Sequence, residues 1–130
     1  MNLMIIKSIC LSYLTALMIF FPLKTVAQSH EWIAVPNNQY GEQLWDKKSL
    51  KKNQEGFFQV LSMYIPKSRT NITSETLYTM DIDCSKKFFR DVAVGAKNFN
   101  EFENKNSEWK DPNGDKLILG VIDQVCASIN

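Results

Sequence analysis

One strand sets the predicted architecture: ETLYTMDIDC, from Glu75 to Cys84. Its residues alternate in polarity, with Tyr78, Met80, Ile82 and Cys84 on one side and Leu77, Thr79, Asp81 and Asp83 on the other. A period of two residues is typical of a half-buried antiparallel strand. The apolar side, which includes the sulfur of Cys84, is therefore expected to face the core.

The polar side of this strand carries two carboxylates, Asp81 and Asp83. Paired carboxylates can perform acid–base chemistry. They more often form a solvated strand face, and that is the interpretation adopted for this pair.

Four further segments are predicted to be strands. They run from Glu31 to Val35, from Gln43 to Asp46, from Phe57 to Ile65 and from Phe88 to Ala96. The third is the strongest, because it is rich in aromatic and β-branched residues and Pro66 follows it. These segments predict an antiparallel β-sheet of about five or six strands.

A helix is predicted near the C-terminal end of the chain. Asp115 has a side chain preferred at a helix N-cap. After it, apolar residues recur at helical spacing, namely Ile118, Val121, Ile122, Val125 and Ile129. Gly120 costs about 1 kcal/mol within a helix, so its presence indicates a close approach to the sheet. The predicted fold class is therefore α+β, with the C-terminal α-helix packed on the antiparallel sheet.

The N-terminal segment has the order of regions found in a secretory signal peptide. Lys7 supplies a positive charge, residues 8–23 are uncharged, and small residues follow up to Ala27. An uncleaved membrane anchor is the alternative, although a spanning helix needs roughly 20 apolar residues. A lipid anchor would need a cysteine at the cleavage point, where the sequence has none. The expectation is a signal peptide over 1–27 and no integral membrane span after cleavage.

The remaining segment, 28–130, is long enough for one domain. It carries 13 Lys and Arg against 14 Asp and Glu, which gives a net charge of −1 with His30 neutral. This balance gives no support to nucleic-acid binding.

Two cysteines, Cys84 and Cys126, follow the predicted signal peptide. In an oxidising compartment, a pair of cysteines in a small domain predicts a disulfide. The bond would stabilise the domain by roughly 4 kcal/mol, since it closes a loop of about 43 residues. Two free thiols are the alternative, and two cysteines with one distant histidine do not make a metal site. No metal or cofactor is expected.

His30 is the only histidine of the chain and the best candidate for a general base. It lies close to the predicted start of the mature protein, where a chain is usually mobile. A general base must be held within hydrogen-bond reach of its target. The sequence also lacks a phosphate-binding loop and a serine-nucleophile motif, so the expectation is a protein that is not an enzyme.

A basic stretch is the first candidate binding surface. It contains Lys47, Lys48, Lys51 and Lys52, here called the lysine patch, with Trp45 just before it. Such a cluster can bind sulfated glycans, anionic lipid headgroups or acidic protein segments. The alternative is that lysines on exposed turns and edge strands only prevent aggregation.

The long polar segment over 97–114 is the second candidate. It contains three aromatic side chains that can anchor an interface: Phe99, Phe102 and Trp109. The alternative is that these rings fold the segment onto the sheet. A loop of this length is uncommon in a compact domain, so it is either functional or includes a short strand.

Several residues occur in the order found in a known family. They are Trp32, Asp46 with Ser49-Leu50, Gly56, Asp83-Cys84, Phe89-Arg90, Trp109 and Val125-Cys126. This order resembles the surface-adhesin protein E family of Gram-negative bacteria. The resemblance implies an antiparallel sheet with a C-terminal helix, a bridge between the two cysteines, and exposure at the cell envelope.

The resemblance also implies a function in binding. The family includes an adhesin lipoprotein that binds host matrix proteins such as vitronectin and laminin, whereas this chain has no lipid-bearing cysteine. The expectation is an exported, non-enzymatic binding domain in the periplasm or at the cell surface. Its partner would be host extracellular matrix proteins. In the alternative, it is a periplasmic accessory protein that docks on an envelope protein or a secretion assembly.

Overall fold

The computed structural model describes residues 29–67, 75–95 and 107–129. The predicted signal peptide and two candidate binding residues, Phe99 and Phe102, lie outside the described residues. Within the described ranges the chain forms six strands and one α-helix. The strands are β1 (Trp32–Ala34), β2 (Gly41–Asp46), β3 (Lys51–Lys52), β4 (Phe58–Pro66), β5 (Thr76–Asp83) and β6 (Phe88–Val94), and the helix is α1 (Lys116–Ser128).

The strands form one antiparallel sheet in the order β1-β2-β4-β5-β6. β3 pairs with β4 along the same edge as β2, nearer the start of β4. The predicted fold class, an antiparallel sheet with a C-terminal helix, is confirmed. Two strand ends differ from prediction. β4 extends one residue past Ile65 to Pro66, which pairs with Gly41, and β6 ends at Val94 instead of Ala96.

The core lies between α1 and one face of the sheet. Its buried side chains include Val60, Met80 and Ile82 from the strands and Leu117, Val121, Ile122 and Val125 from the helix. Burying an aliphatic side chain of this size contributes roughly 1.5–3 kcal/mol. The predicted helical stripe is confirmed at Val121, Ile122 and Val125, whereas Ile129 lies at the helix end and is 36 % exposed.

The helix begins where the sequence predicts. One oxygen of Asp115 accepts hydrogen bonds from the backbone N–H groups of Leu117 at 3.0 Å and Ile118 at 3.1 Å. This contact satisfies two of the donors that a helix N-terminus leaves unpaired. The predicted close approach at Gly120 is also present, since a Cβ there would lie 3.0 Å from the Cβ of Val35.

A disulfide joins the end of β5 to the last turns of α1. Cys84 and Cys126 are bonded, with their Cα atoms 5.6 Å apart. The predicted pairing is confirmed, and the helix is covalently held against the sheet that it covers.

Candidate functional site

The lysine patch spans an insertion after β2, which carries Lys47 and Lys48, and the short strand β3, which consists of Lys51 and Lys52. Trp45 of β2 pairs with Ser62, and Lys51 of β3 pairs with Gln59. Between these two pairs, the segment from β2 to β3 is six positions long, whereas the matching segment of β4 is three positions long. The β2–β3 segment therefore has three extra residues, which project from the sheet. They form a 3₁₀ turn, Lys47–Ser49. All four lysines of the patch are exposed.

Ser49 replaces the missing strand contact at this insertion. Its hydroxyl donates a hydrogen bond to the carbonyl of Asp46 at 2.7 Å and accepts one from the backbone N–H of Leu61 at 2.8 Å. The backbone of β4 therefore keeps a partner where the neighbouring strand is interrupted. The turn is fixed to the sheet, and only its lysines extend into water.

Asp46 fixes the other side of the turn. Its carboxylate is fully buried and accepts hydrogen bonds from the backbone N–H groups of Glu31 at 2.8 Å and Lys48 at 3.1 Å. It also accepts one from His30 Nδ1 at 2.7 Å. Burial alone raises the pKa of Asp46, but these hydrogen bonds more than offset it and hold the pKa below its usual value.

The same contact joins the start of the described chain to the end of β2. The ring of His30 is hydrogen-bonded to Asp46. It also stacks on the indole of Trp32, with the two ring centroids 5.4 Å apart. His30 therefore has side-chain contacts, although it lies near the predicted start of the mature protein, where a chain is usually mobile. His30 anchors the N-terminal segment beside the lysine patch, where Lys48 Nζ donates a hydrogen bond to the Ser29 hydroxyl at 2.9 Å.

Trp45 does not belong to the exposed surface. It is 2 % exposed and lies in the core, and its indole N–H donates a hydrogen bond to Gln124 of α1 at 2.8 Å. The prediction that Trp45 contributes to a binding surface is wrong. Its side chain points to the helix side of β2, whereas Lys47 and Lys48 follow on the projecting turn and Lys51 and Lys52 follow in β3.

The second predicted candidate, Trp109, packs against the sheet. The guanidinium of Arg90 lies 4.6 Å from the centre of its indole ring, and Phe57 meets it edge-on at 4.6 Å. Its neighbour Lys110 forms a single antiparallel bridge with Phe89 of β6. Trp109 is thus half-buried, as in the alternative interpretation, and this part of the long segment includes a short strand-like contact.

Asp81 lies beneath this cluster and is only 2 % exposed. Arg90 contacts one of its oxygens through Nε at 3.0 Å and Nη2 at 2.9 Å, and Gln59 donates to the other at 2.8 Å. Arg90 also pairs with Glu55 at 2.6 Å. The prediction that Asp81 belongs to a solvated strand face is wrong, since Arg90 and its aromatic neighbours cover it.

An open cleft of about 810 Å³ lies where the N-terminal end of α1 meets the sheet. We call it the aromatic cleft. The described residues that line it include Tyr40, Tyr64, Tyr78, Phe89 and Asp91. These residues come from three strands and the turn before β2, so no local spacing in the sequence could have indicated that they meet. Only the register of the sheet brings them together.

Two polar groups of the aromatic cleft, Asp91 and Tyr78, have raised pKa values. Burial raises the pKa of Asp91, and the nearby Lys110, whose Nζ lies 4.0 Å from the carboxylate, only partly opposes this shift. Burial and the charge of Asp91 together raise the pKa of Tyr78. The cleft therefore combines aromatic rings with a carboxylate that is poorly compensated.

Two classes of site are not found in the described parts of the chain. Residues 29–67, 75–95 and 107–129 contain no group of three or more His, Cys, Asp or Glu side chains that could hold a metal ion. Over the same ranges, no helix is both long enough and apolar enough to cross a membrane.

The fold and its surfaces define a small, disulfide-bonded α+β domain with a basic edge and an aromatic cleft. A family model described as the surface adhesin-E family matches residues 33–130. The chain therefore belongs to the surface adhesin-E family, which confirms the resemblance seen in the sequence. No curated protein and no solved structure matches the chain. Membership of this family favours an adhesin-type binding function for an exported or cell-surface protein.

Proposed function

We propose that the chain is an exported, non-enzymatic binding domain whose lysine patch binds acidic groups of host extracellular matrix proteins. Those groups are the sulfated glycans and carboxylate-rich segments that a cluster of ammonium groups attracts. The observation that carries the proposal is the three-residue insertion, which projects lysines from a turn fixed by Asp46 and Ser49.

The rigid turn distinguishes this patch from lysines scattered on a surface. Exposed ion pairs contribute little singly, partly because long side chains lose entropy when they are ordered. Holding the backbone in place avoids the further cost of ordering the turn on binding, and several neighbouring charges act on the same polyanion. Removal of a leader after Ala27 would place a free ammonium group one residue before Ser29, which already contacts Lys48.

Binding is tested with oxidised protein, expressed as the full chain and purified from the envelope, on immobilised matrix proteins and heparin. The variant Lys47→Gln/Lys52→Gln removes two charges from the patch. Its matched control, Lys67→Gln/Lys86→Gln, removes two exposed charges elsewhere. If each lysine contributes about 0.7 kcal/mol, the patch variant binds about tenfold more weakly. The control should change affinity less than twofold.

Salt provides a second readout of the same interaction. Exposed charges are screened over about 8 Å at physiological ionic strength, so affinity should fall steeply between 50 and 300 mM salt (roughly a Debye-length change from 14 to 6 Å). Saturable binding that is insensitive to salt, or an equal loss of affinity in both variants, would contradict binding through the lysine patch.

Docking on an envelope protein is the competing function. A pull-down from envelope extract, with the same two variants, separates it from adhesion to host matrix. Capture of an envelope protein that depends on the patch, together with no saturable binding to matrix proteins or heparin, would favour the accessory function.

Export itself is tested by intact mass. Protein from the envelope, analysed before and after reduction and alkylation, should lack the first 27 residues and contain no reactive thiol until it is reduced. A retained leader, or two thiols that react without reductant, would contradict export of the disulfide-bonded domain.

A further inference from the structure

We propose that the aromatic cleft binds a cationic side chain, lysine or arginine, presented by a partner polypeptide. The site is separate from the lysine patch and has the opposite charge preference. Three observations carry the inference: the aromatic lining, the state of the Asp91 carboxylate, and the open shape of the cleft.

The aromatic lining supplies both apolar contact and attraction for a cation. Tyr64, Tyr78 and Phe89 line the cleft, and Tyr40 at its rim is 67 % exposed. Ring faces attract ammonium and guanidinium groups, and tyrosine and phenylalanine both do so. The aliphatic part of a lysine or arginine side chain can lie along the same rings. The hydroxyl of Tyr64 donates to the carbonyl of Tyr40 at 2.9 Å, which joins the rim to the cleft wall.

Asp91 supplies the counter-charge. Its side chain is 21 % exposed, and its ion-pair partner among the described residues is Lys110, at 4.0 Å. That distance is at the limit of an ion pair, and Lys110 is itself 58 % exposed. The raised pKa of Asp91 agrees with a carboxylate that burial disfavours and that Lys110 compensates only in part. A cation bound among the rings would supply the positive charge that Lys110 provides only in part.

Other charges near the cleft do not supply this compensation. Asp115 is used as the cap of α1, and Lys116 is exposed at the first turn of that helix. The charged side chains among the described lining residues are Asp91, Asp115 and Lys116, whose formal charges nearly cancel. Selectivity for a cation therefore depends on short-range contact with Asp91 and the rings.

The shape of the cleft indicates a side chain on a larger partner. It is open to solvent, and its volume of about 810 Å³ exceeds what one lysine side chain fills. An open cleft of this size can receive a protruding side chain together with its neighbours along a polypeptide. A partner with basic and acidic segments could contact both the cleft and the lysine patch.

The test uses NMR titration of the oxidised protein with two blocked amino acids. Nα-acetyl-lysine methylamide carries the ammonium group, and Nα-acetyl-norleucine methylamide has a similar aliphatic chain without it. The lysine compound should cause saturable shifts at the rings of Tyr64, Tyr78 and Phe89 at millimolar concentration. The norleucine compound should bind at least fivefold more weakly.

Three variants locate the effect. Asp91→Asn should weaken binding of the lysine compound at least fivefold while it leaves heparin binding unchanged. Glu42→Gln is the matched control, because it removes one exposed carboxylate from the opposite face of the sheet and should change neither. Tyr78→Phe keeps the ring and should retain binding, because the ring and not the hydroxyl is proposed to contact the cation.

Equal shifts with both blocked amino acids would overturn the proposal, since the cleft would then recognise only an apolar chain. Unchanged affinity in Asp91→Asn would overturn it as well. A preference for a neutral oligosaccharide over the lysine compound would assign the cleft to a different ligand. None of these results bears on the lysine patch, whose own test is the binding of heparin and matrix proteins.

Discussion

Asp46 is fully buried and Asp91 is largely buried, yet their environments shift their pKa values in opposite directions. Asp46 accepts three hydrogen bonds, two of them from backbone N–H groups, and its pKa is lowered. Asp91 has a distant lysine as its ion-pair partner among the described residues, and its pKa is raised. A fully hydrogen-bonded carboxylate stabilises the fold, whereas a poorly compensated one costs stability and remains available to a ligand.

The difference follows from the chain around each carboxylate. Asp46 ends β2 and is followed at once by the 3₁₀ turn, so the N–H of Lys48 lies within reach of its side chain. Asp91 lies inside β6, opposite Met80, where the strand backbone is engaged in the sheet. Asp91 must therefore find its partners among side chains, and the described residues offer it Lys110 as an ion-pair partner.

Removing Asp46 should give the largest effect. Asp46→Ala deletes the acceptor of three hydrogen bonds and leaves the N–H groups of Glu31 and Lys48 without this partner. We expect a loss of about 3 kcal/mol in the free energy of unfolding, measured by chemical denaturation at pH 7. The loss should shrink as pH falls through the lowered pKa of Asp46, because protonation then removes the same contribution from the wild type. A loss below about 1 kcal/mol would mean that Asp46 is not the anchor described.

Arg90→Gln tests a third carboxylate that resembles Asp46. Asp81 is almost fully buried and depends on Arg90 and Gln59. Without the guanidinium, its charge is poorly compensated, and Trp109 loses the cation that stacks on it. We expect a loss of about 2 kcal/mol by the same denaturation assay. Glu55→Gln, which changes only the exposed partner of Arg90, should cost less than about 0.5 kcal/mol. Equal effects would break the distinction between buried and exposed partners.

His30→Ala should have a moderate effect. It removes one of the three donors to Asp46 and the stack on Trp32, while the two backbone donors remain. We expect a loss of about 1 kcal/mol and faster proteolysis near the N-terminal end of the domain. Unchanged stability together with an unchanged digestion pattern would show that the backbone donors alone hold Asp46.

The periodic parts of the fold could be predicted from the sequence. The alternation in β5, the helical stripe of Val121, Ile122 and Val125, and the Asp115 cap depend on local spacing, and each was predicted. The burial of Asp81 was not, because alternation shows which residues share a face but not what covers that face. The structure covers Asp81 with Arg90, from the next strand, and with the aromatic residues Phe57 and Trp109 beside it.

The candidate sites differ in the same way. The lysine patch is contiguous in sequence and was predicted, although Trp45 was wrongly included because it lies only two residues before Lys47. The aromatic cleft depends on Tyr64, Tyr78 and Phe89 from three different strands, together with the start of α1. A single sequence does not show such a meeting, because the register between strands is a property of the whole sheet.

Asp91→Asn should give the smallest effect, with the opposite sign. Since folding raises the pKa of Asp91, its ionised form opposes folding above that pKa, and the neutral amide removes the cost. We expect a gain of roughly 0.5 kcal/mol at pH 7, which disappears as pH falls through the pKa of Asp91. Glu42→Gln is again the control and should leave stability unchanged. A clear loss of stability in Asp91→Asn would mean that Asp91 is as fully engaged as Asp46.

The contrast between the two carboxylates is tested most directly by NMR titration of the side-chain carboxyl carbons in the wild-type, oxidised protein. Asp46 is expected to titrate below the ordinary aspartate pKa of 3.8 and Asp91 above it, in the same sample. Titration of both carboxyls at the ordinary value, or with the order reversed, would contradict it.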